Sequence, residues 1–158
     1  MMLRAVLALL LASGCPAKGP DAPVAPATPK EVVAAAKSTV EQWRQGFEVR
    51  SADALAKLYA HDLDVVVVTD GAALTGWKSI EASLRDRLAR AGAIRVRLKD
   101  IQVTAQDAMV ATVVATMTRE VTDGAATTTE NGTLTLVLRH AGDAWVIVLE
   151  HYSYRRPT

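Results

Sequence analysis

The side chain in this sequence best suited to acid–base chemistry is that of His151, in the C-terminal segment. An imidazole gains and loses a proton near neutral pH, as a general base must. Glu150 cannot assist it from the same face, because adjacent residues of a strand point in opposite directions. Glu130, Ser153 or Tyr59 could orient the ring, but the sequence fixes no acid beside it. We therefore favour a buried, hydrogen-bonded histidine, and keep catalysis by His151 as the alternative.

Four aromatic residues form the second group of candidates: Trp43, Phe47, Tyr59 and Trp77. Aromatic side chains at helical spacing can line an apolar pocket, although they more often form an ordinary core. We expect at least one of them to do both. With the polar candidates added, the predicted ligand-binding set is Trp43, Phe47, Tyr59, Trp77, Glu130, His151 and Ser153.

Other chemistries find little support in the sequence. The histidines His61, His140 and His151 fall on different predicted elements, so no metal site is expected. A single cysteine allows neither an internal disulfide nor a cysteine-based metal site. The sequence contains no glycine-rich phosphate loop and no Gly-x-Ser-x-Gly motif, and we expect no cofactor.

The charge of the chain argues against a nucleic-acid partner. The sequence has 18 basic and 17 acidic residues, a balance without the strong basic excess that such a partner requires. The basic residues between Arg85 and Lys99 are accompanied by Asp86 and Asp100, which is typical of a solvated face.

The C-terminal segment predicts a β-hairpin, because two β-rich runs flank a short segment that contains Gly142. With Ala141 and Gly142 as its loop, the apolar side chains are separated from the polar ones, and a shift by one residue would mix them. The predicted apolar face carries Leu134, Leu136, Leu138, Trp145, Ile147 and Leu149.

His151 and Ser153 end this same face in the predicted register, with Glu130 near Ser153 across the ladder. A polar cluster at the end of an apolar stripe is typical of the mouth of a pocket. A bulge or a three-residue loop would place Thr133 beside His151 instead, and this alternative stays open.

The rest of the pattern places helices ahead of most strands. A capping box at residues 28–31 starts a helix that carries its apolar face to Phe47. A second, short helix is predicted from Ser51 to Ala60, and a third begins at Thr75-Gly76. Strands are predicted at residues 64–69, 93–105 and 108–122, followed by the hairpin. The order α-α-β-α-β-β-β-β predicts an α+β domain in which helices pack on one curved antiparallel sheet.

This arrangement resembles the SnoaL-like domains of the nuclear transport factor 2-like superfamily, over roughly residues 31–153. The residues that carry the resemblance are Trp43, Leu58, Tyr59, Ala60, Asp62, Gly76, Gly132, Thr135, Trp145, Ile147, His151 and Ser153. The resemblance implies a cone-shaped, cystatin-like domain with three N-terminal helices, a pocket between helices and sheet, and a homodimer formed through the sheet. Thr133 departs from the family pattern, since an arginine that would bind anions is frequent there.

The N-terminus resembles a bacterial lipoprotein signal, with Leu11-Ala12-Ser13-Gly14-Cys15 as its lipobox. Ala12 departs from the usual leucine. The resemblance implies a signal peptide at residues 1–14, lipidation of Cys15 and a membrane anchor in the cell envelope. Residues 15–29 are rich in proline and alanine and predict a semi-rigid tether. Residues 30–158 then form the SnoaL-like domain.

The favoured function is that of a lipid-anchored cell-envelope protein, placed at the outer membrane if Pro16 acts as a sorting residue. It binds a small, mostly apolar ligand or a protein partner without catalysis. SnoaL-like folds also serve isomerases and dehydratases, so an enzyme of that type with His151 as general base is one alternative. A dimerisation or scaffold module is another.

Overall fold

The computed structural model describes residues 27–155, and the predicted signal peptide and most of the predicted tether lie outside them. The helices are α1 (Pro29–Glu48), α2 (Ala52–Ala56) and α3 (Trp77–Arg90). The strands are β1 (Val66–Thr69), β2 (Ala72–Thr75), β3 (Ala93–Ala105), β4 (Val110–Asp123), β5 (Ala126–Ala141) and β6 (Ala144–Arg155). The α+β fold class is confirmed. No helix within residues 27–155 combines the length and hydropathy needed to cross a bilayer.

Helix α1 begins at the predicted capping box. The Thr28 hydroxyl accepts a hydrogen bond from the Glu31 backbone N–H at 3.3 Å, and the Glu31 carboxylate accepts one from the Thr28 N–H at 2.7 Å. These two bonds satisfy donors that would otherwise lack partners in the first turn. The helix then buries Val32, Ala36, Val40, Trp43 and Phe47 against the sheet.

The six strands form one mixed sheet in the order β2-β1-β6-β5-β4-β3. All neighbouring strands are antiparallel except β1 and β6, which are parallel. The sheet that the sequence predicted as antiparallel is therefore mixed, although mostly antiparallel. Strand β2 was not predicted, because its four residues, Ala72–Thr75, are too few to show an alternating pattern. Helix α2 ends four residues earlier than the predicted Ala60.

Strand β3 contains an irregularity near Asp100. Its pairing with β4 shifts between Lys99 and Gln102, and Asp100 has a φ of 51°. A bulge of this kind bends a strand and increases its twist, which helps the sheet to curve around the helices.

The β5–β6 hairpin differs from the predicted register. Ala141 pairs with Ala144, so the turn is formed by Gly142 and Asp143 rather than by Ala141 and Gly142. The pairing shifts again farther from the turn, where Val148 is an extra residue on β6. This bulge reverses the direction of every side chain that follows it on β6.

The predicted inner face is correct on the turn side of the bulge in β6 and wrong for the residues of β6 that follow the bulge. Leu134, Leu136, Leu138 and Ile147 are fully buried on the inner face, as predicted. Leu149 lies on the outer face opposite Val137, and Glu150 and Tyr152 take the inner positions instead. The core therefore receives a carboxylate and a phenol from β6 where the sequence predicted Leu149 and His151.

Candidate functional site

The imidazole of His151 lies outside the interior of the domain. The backbone of His151 pairs with Thr135 on β5 and with Val68 on β1, and its side chain is exposed on the outer face of the sheet. Ser153 pairs with Thr133 and is exposed on the same face. The expectation that both residues end the apolar inner face is wrong, because the bulge at Val148 turns them outward.

A buried hydrogen-bonded cluster joins Trp43, Tyr59 and Glu150. The Trp43 Nε1–H donates to Glu150 Oε2 at 2.9 Å and lies 3.1 Å from the Tyr59 hydroxyl, and that hydroxyl also donates to Glu150 Oε2. All three residues are at most 3% exposed. Burial, followed by the neighbouring Glu150 charge, raises the pKa of Tyr59 well above its ordinary value. Tyr59 is therefore a fixed hydrogen-bond donor at physiological pH.

A second buried cluster is centred on the ion pair of Arg119 and Glu130. The two side chains approach to 2.6 Å and both are less than 10% exposed as residues. The Arg119 guanidinium lies over the rings of Tyr152 and Tyr154, at 4.9 and 5.7 Å from their centroids. The Tyr152 hydroxyl donates to the Glu130 carbonyl oxygen at 3.2 Å. These contacts hold both charges in one position.

Arg87 lies between the two clusters and has a different environment. Its guanidinium lies 5.3 Å from the centroid of the Phe47 ring. Its Nε is buried and has no hydrogen-bond partner within residues 27–155. Burial lowers the pKa of Arg87, and attraction by Glu150 opposes this effect without cancelling it.

A pocket of about 570 Å³ opens between α1, α3 and the inner face of the sheet. Its volume is within the range typical of small-molecule sites. The lining residues are Phe47, Thr69, Asp70, Arg87, Arg90, Ile94, Arg119, Val121, Asp123, Thr128, Glu130 and Tyr154. The wall thus combines apolar side chains with charged groups of both signs. No group of three or more His, Cys, Asp or Glu side chains in the described part of the chain is arranged to hold a metal ion.

The structure brings only part of the predicted site together. Phe47 and Glu130 line the pocket, whereas Trp43 and Tyr59 form the buried cluster with Glu150. Trp77 lies at the start of α3, where its ring stacks on His61 at 4.4 Å and on Tyr59 at 5.8 Å.

Sequence reasoning missed the two arginines of the interior, although both left a signal in the pattern. Arg87 follows Leu84 by three residues, so it falls on the apolar face of α3. Arg119 continues the inward alternation of Ala115 and Met117 along β4. A charged residue at an inward position of a periodic pattern, as at Arg87 and Arg119, could have indicated that the interior is partly polar.

Because Tyr59 and Tyr152 are buried, we expect the folded domain to lose stability at alkaline pH. Burial raises the pKa of Tyr152 to about 12, and that of Tyr59 rises as well. The folded state therefore holds these protons more tightly than the unfolded state, whose tyrosines titrate at about pH 10. The contribution of Tyr152 is fully present below pH 10 and is lost as pH rises to about 12.

We expect the free energy of unfolding, measured by urea denaturation between pH 8 and 11.5, to fall above pH 10. Tyr152→Phe should reduce this fall, because phenylalanine has no proton to lose. An identical pH dependence in the wild type and the variant would contradict the prediction.

Comparison with known proteins places these features in a family. A family model for the SnoaL-like domain matches residues 36–157. A candidate dehydratase of the nuclear transport factor 2-like family from Streptomyces avermitilis is 21% identical, with a TM-score of 0.75 over 81% of this chain and 99% of that one. A nuclear transport factor 2-like superfamily protein from Salmonella enterica is 12% identical, with a TM-score of 0.70 over 82% of this chain and 92% of that one.

A third similar structure has a different description. It is a candidate calcium/calmodulin-dependent protein kinase type II association domain from Thiobacillus denitrificans, 26% identical, with a TM-score of 0.62 over 75% of this chain and 94% of that one. No curated protein matches the chain significantly. The different descriptions of these structures agree on the fold and not on an activity. On the match across residues 36–157, this chain belongs to the SnoaL-like domain family.

Proposed function

We propose that this protein binds a small organic molecule in the pocket between α1, α3 and the sheet, without catalysing its conversion. The observation that carries the proposal is the pocket itself, which has about 570 Å³ of space and a wall with both apolar and charged side chains. A mixed wall of this kind binds the body of a ligand by apolar contact and orients it through a few polar groups.

The polar part of the wall changes the ligand that we expect. The sequence favoured a mostly apolar ligand, and Phe47, Ile94 and Val121 provide an apolar surface for its body. Arg87 and Arg119 lie on the same wall. We therefore propose a ligand that combines an apolar body with a polar group.

A non-catalytic role is favoured over the enzymatic alternative for a geometric reason. A general base must reach the proton that it removes, and His151 is exposed on the opposite face of the sheet. Glu130 lines the pocket, but its carboxylate is already engaged by Arg119, whose Nε donates a hydrogen bond to Glu130 Oε2 at 2.8 Å.

The proposed setting of this domain is the cell envelope. The lipidation of Cys15 and the signal peptide concern residues that precede the described part of the chain, and they stay predictions. The homodimer through the sheet also stays a prediction. It is supported by apolar side chains on the outer face of the sheet, where Val114 on β4 is 39% exposed and Val137 on the neighbouring strand β5 is partly exposed.

Native mass spectrometry of the full chain, expressed in a bacterial host and extracted with mild detergent, tests ligand binding. We expect a co-purified mass in the wild type that is lost in Val121→Trp, which fills the pocket. Val114→Trp makes the same change on the outer face of the same strand and should keep the bound mass, as should His151→Ala. Absence of any bound mass from all four proteins, with no thermal stabilisation by a metabolite library, would contradict the proposal.

A further inference from the structure

We propose that the ligand of this pocket is a small monocarboxylic acid whose carboxylate is bound by the guanidinium of Arg87. This inference rests on the proposed function, since it assigns the chemical class of the molecule that occupies the pocket. The assignment depends on which charged groups of the interior already have partners and which one does not.

Arg87 differs in this respect from the other arginines around the pocket. Arg119 is paired with Glu130 at 2.6 Å, and Arg90 is paired with Asp86 on the exposed side of α3. The Nε of Arg87 is buried and has no hydrogen-bond partner within residues 27–155, and Arg87 forms no ion pair within those residues. Arg87 also lines the pocket, so a ligand that brings an acceptor to its unpaired guanidinium gains affinity from the contact.

The nearby carboxylates do not supply that acceptor. Glu150 Oε2 accepts hydrogen bonds from Trp43 and Tyr59, and Glu130 Oε2 accepts one from Arg119. Asp123 also lines the pocket, but it is exposed at the end of β4. The acids of the interior therefore keep their own donors, and Arg87 can bind an oxygen that enters with the ligand.

The shape of the guanidinium selects a carboxylate. Its planar, rigid set of N–H donors matches the two oxygens of a carboxylate, whereas a single hydroxyl or carbonyl uses only part of it. The rest of the pocket suits a compact apolar or aromatic body, because Phe47, Ile94, Val121 and the ring of Tyr154 line it.

Arg87→Met keeps most of the volume of the side chain and removes its charge. Burial lowers the pKa of Arg87, and attraction by Glu150 opposes this effect. Thermal melting of the unliganded variant beside the unliganded wild type establishes that Arg87→Met is folded before its binding is measured.

Isothermal titration calorimetry with the detergent-extracted full chain tests the inference. The probes are two acids, 3-phenylpropanoate and 4-methylpentanoate, each compared with its neutral carboxamide. We expect at least one acid to bind and its amide to bind about tenfold more weakly or worse, as the loss of a charged hydrogen bond implies. Arg87→Met should weaken the acid by a similar factor and leave the amide unchanged.

Two further variants sharpen the comparison. Arg87→Lys keeps the charge without the planar fork and should give an intermediate affinity for the acid. Arg85→Met changes an exposed arginine of the same helix, which pairs with Asp53 and Glu81, and should bind the acid like the wild type.

The outcomes separate this inference from the proposed function. Equal binding of acid and amide, or an unchanged acid affinity in Arg87→Met, would overturn the carboxylate assignment while the pocket stays a binding site. The same holds if no acid binds but a different molecule co-purifies with the wild type and not with Val121→Trp. If no probe binds and nothing co-purifies, both proposals fall.

Discussion

Gly132→Ala is expected to destabilise the domain severely, by about 3 kcal/mol or more in the free energy of unfolding. Gly132 pairs with Tyr154 across the β5–β6 ladder. A Cβ at this position would lie 1.9 Å from the Ser153 carbonyl oxygen and 2.6 Å from the Tyr154 Cα. Both atoms belong to the backbone, so neither can move by a simple change of rotamer. The two strands would have to separate next to Glu130 and Tyr154, which line the pocket.

Urea unfolding followed by circular dichroism measures this effect. Gly142→Asn provides the control on the same hairpin, because Gly142 has a φ of 60° and its added Cβ would meet no atom within 4 Å. Asparagine tolerates this conformation better than other residues with a side chain, so we expect a cost below about 1 kcal/mol. A Gly132→Ala protein with the wild-type unfolding midpoint would contradict the close approach of the two strands.

Glu150→Ala is expected to have the second large effect, about 3 kcal/mol or more of lost stability. Glu150 Oε2 accepts hydrogen bonds from both Trp43 and Tyr59 in the fully buried cluster. Alanine would remove that common acceptor, leave a cavity, and take away the negative charge that attracts Arg87. Glu150→Gln keeps an oxygen for the two donors and should therefore lose much less.

A double-mutant cycle with Tyr59→Phe identifies the source of the loss. The double variant should be more stable than the sum of the two single losses predicts, since phenylalanine leaves no hydroxyl without an acceptor. Glu120→Ala is the surface control on β4, where the carboxylate pairs with the exposed Arg97, and should cost less than about 1 kcal/mol. Equal losses in Glu120→Ala and Glu150→Ala would show that the buried cluster is not important for stability.

The elements that the sequence predicted well are those with strong local signals. The capping box at Thr28 and the spacing from Val32 to Phe47 determine α1 through interactions within a few residues. The alternation in β4 and β5 likewise predicts which side chains face the helices. Parallel pairing of β1 with β6 has no such local signal, because it joins residues about 80 positions apart, such as Val68 and His151.

The candidate site was predicted in part for the same reason. Phe47 and Tyr59 were expected inside the domain from their spacing, and both are buried. His151 was expected inside as well, but one extra residue at Val148 turned it outward and brought Glu150 in. The position of a bulge depends on how the whole sheet curves over the helices, which no pattern within β6 contains.

Because of the bulge in β6, the number of residues in this strand decides which of its side chains face the interior. Because side chains alternate with a period of two, an odd number of inserted residues exchanges the inward and outward sets, whereas an even number restores them. The exchange at Val148 selects between two neighbours in the sequence, an acid and an imidazole, for the centre of the domain. Within this architecture, gain or loss of a single codon between the β5–β6 turn and position 150 can therefore change which ionisable side chain enters the interior, without any amino-acid replacement.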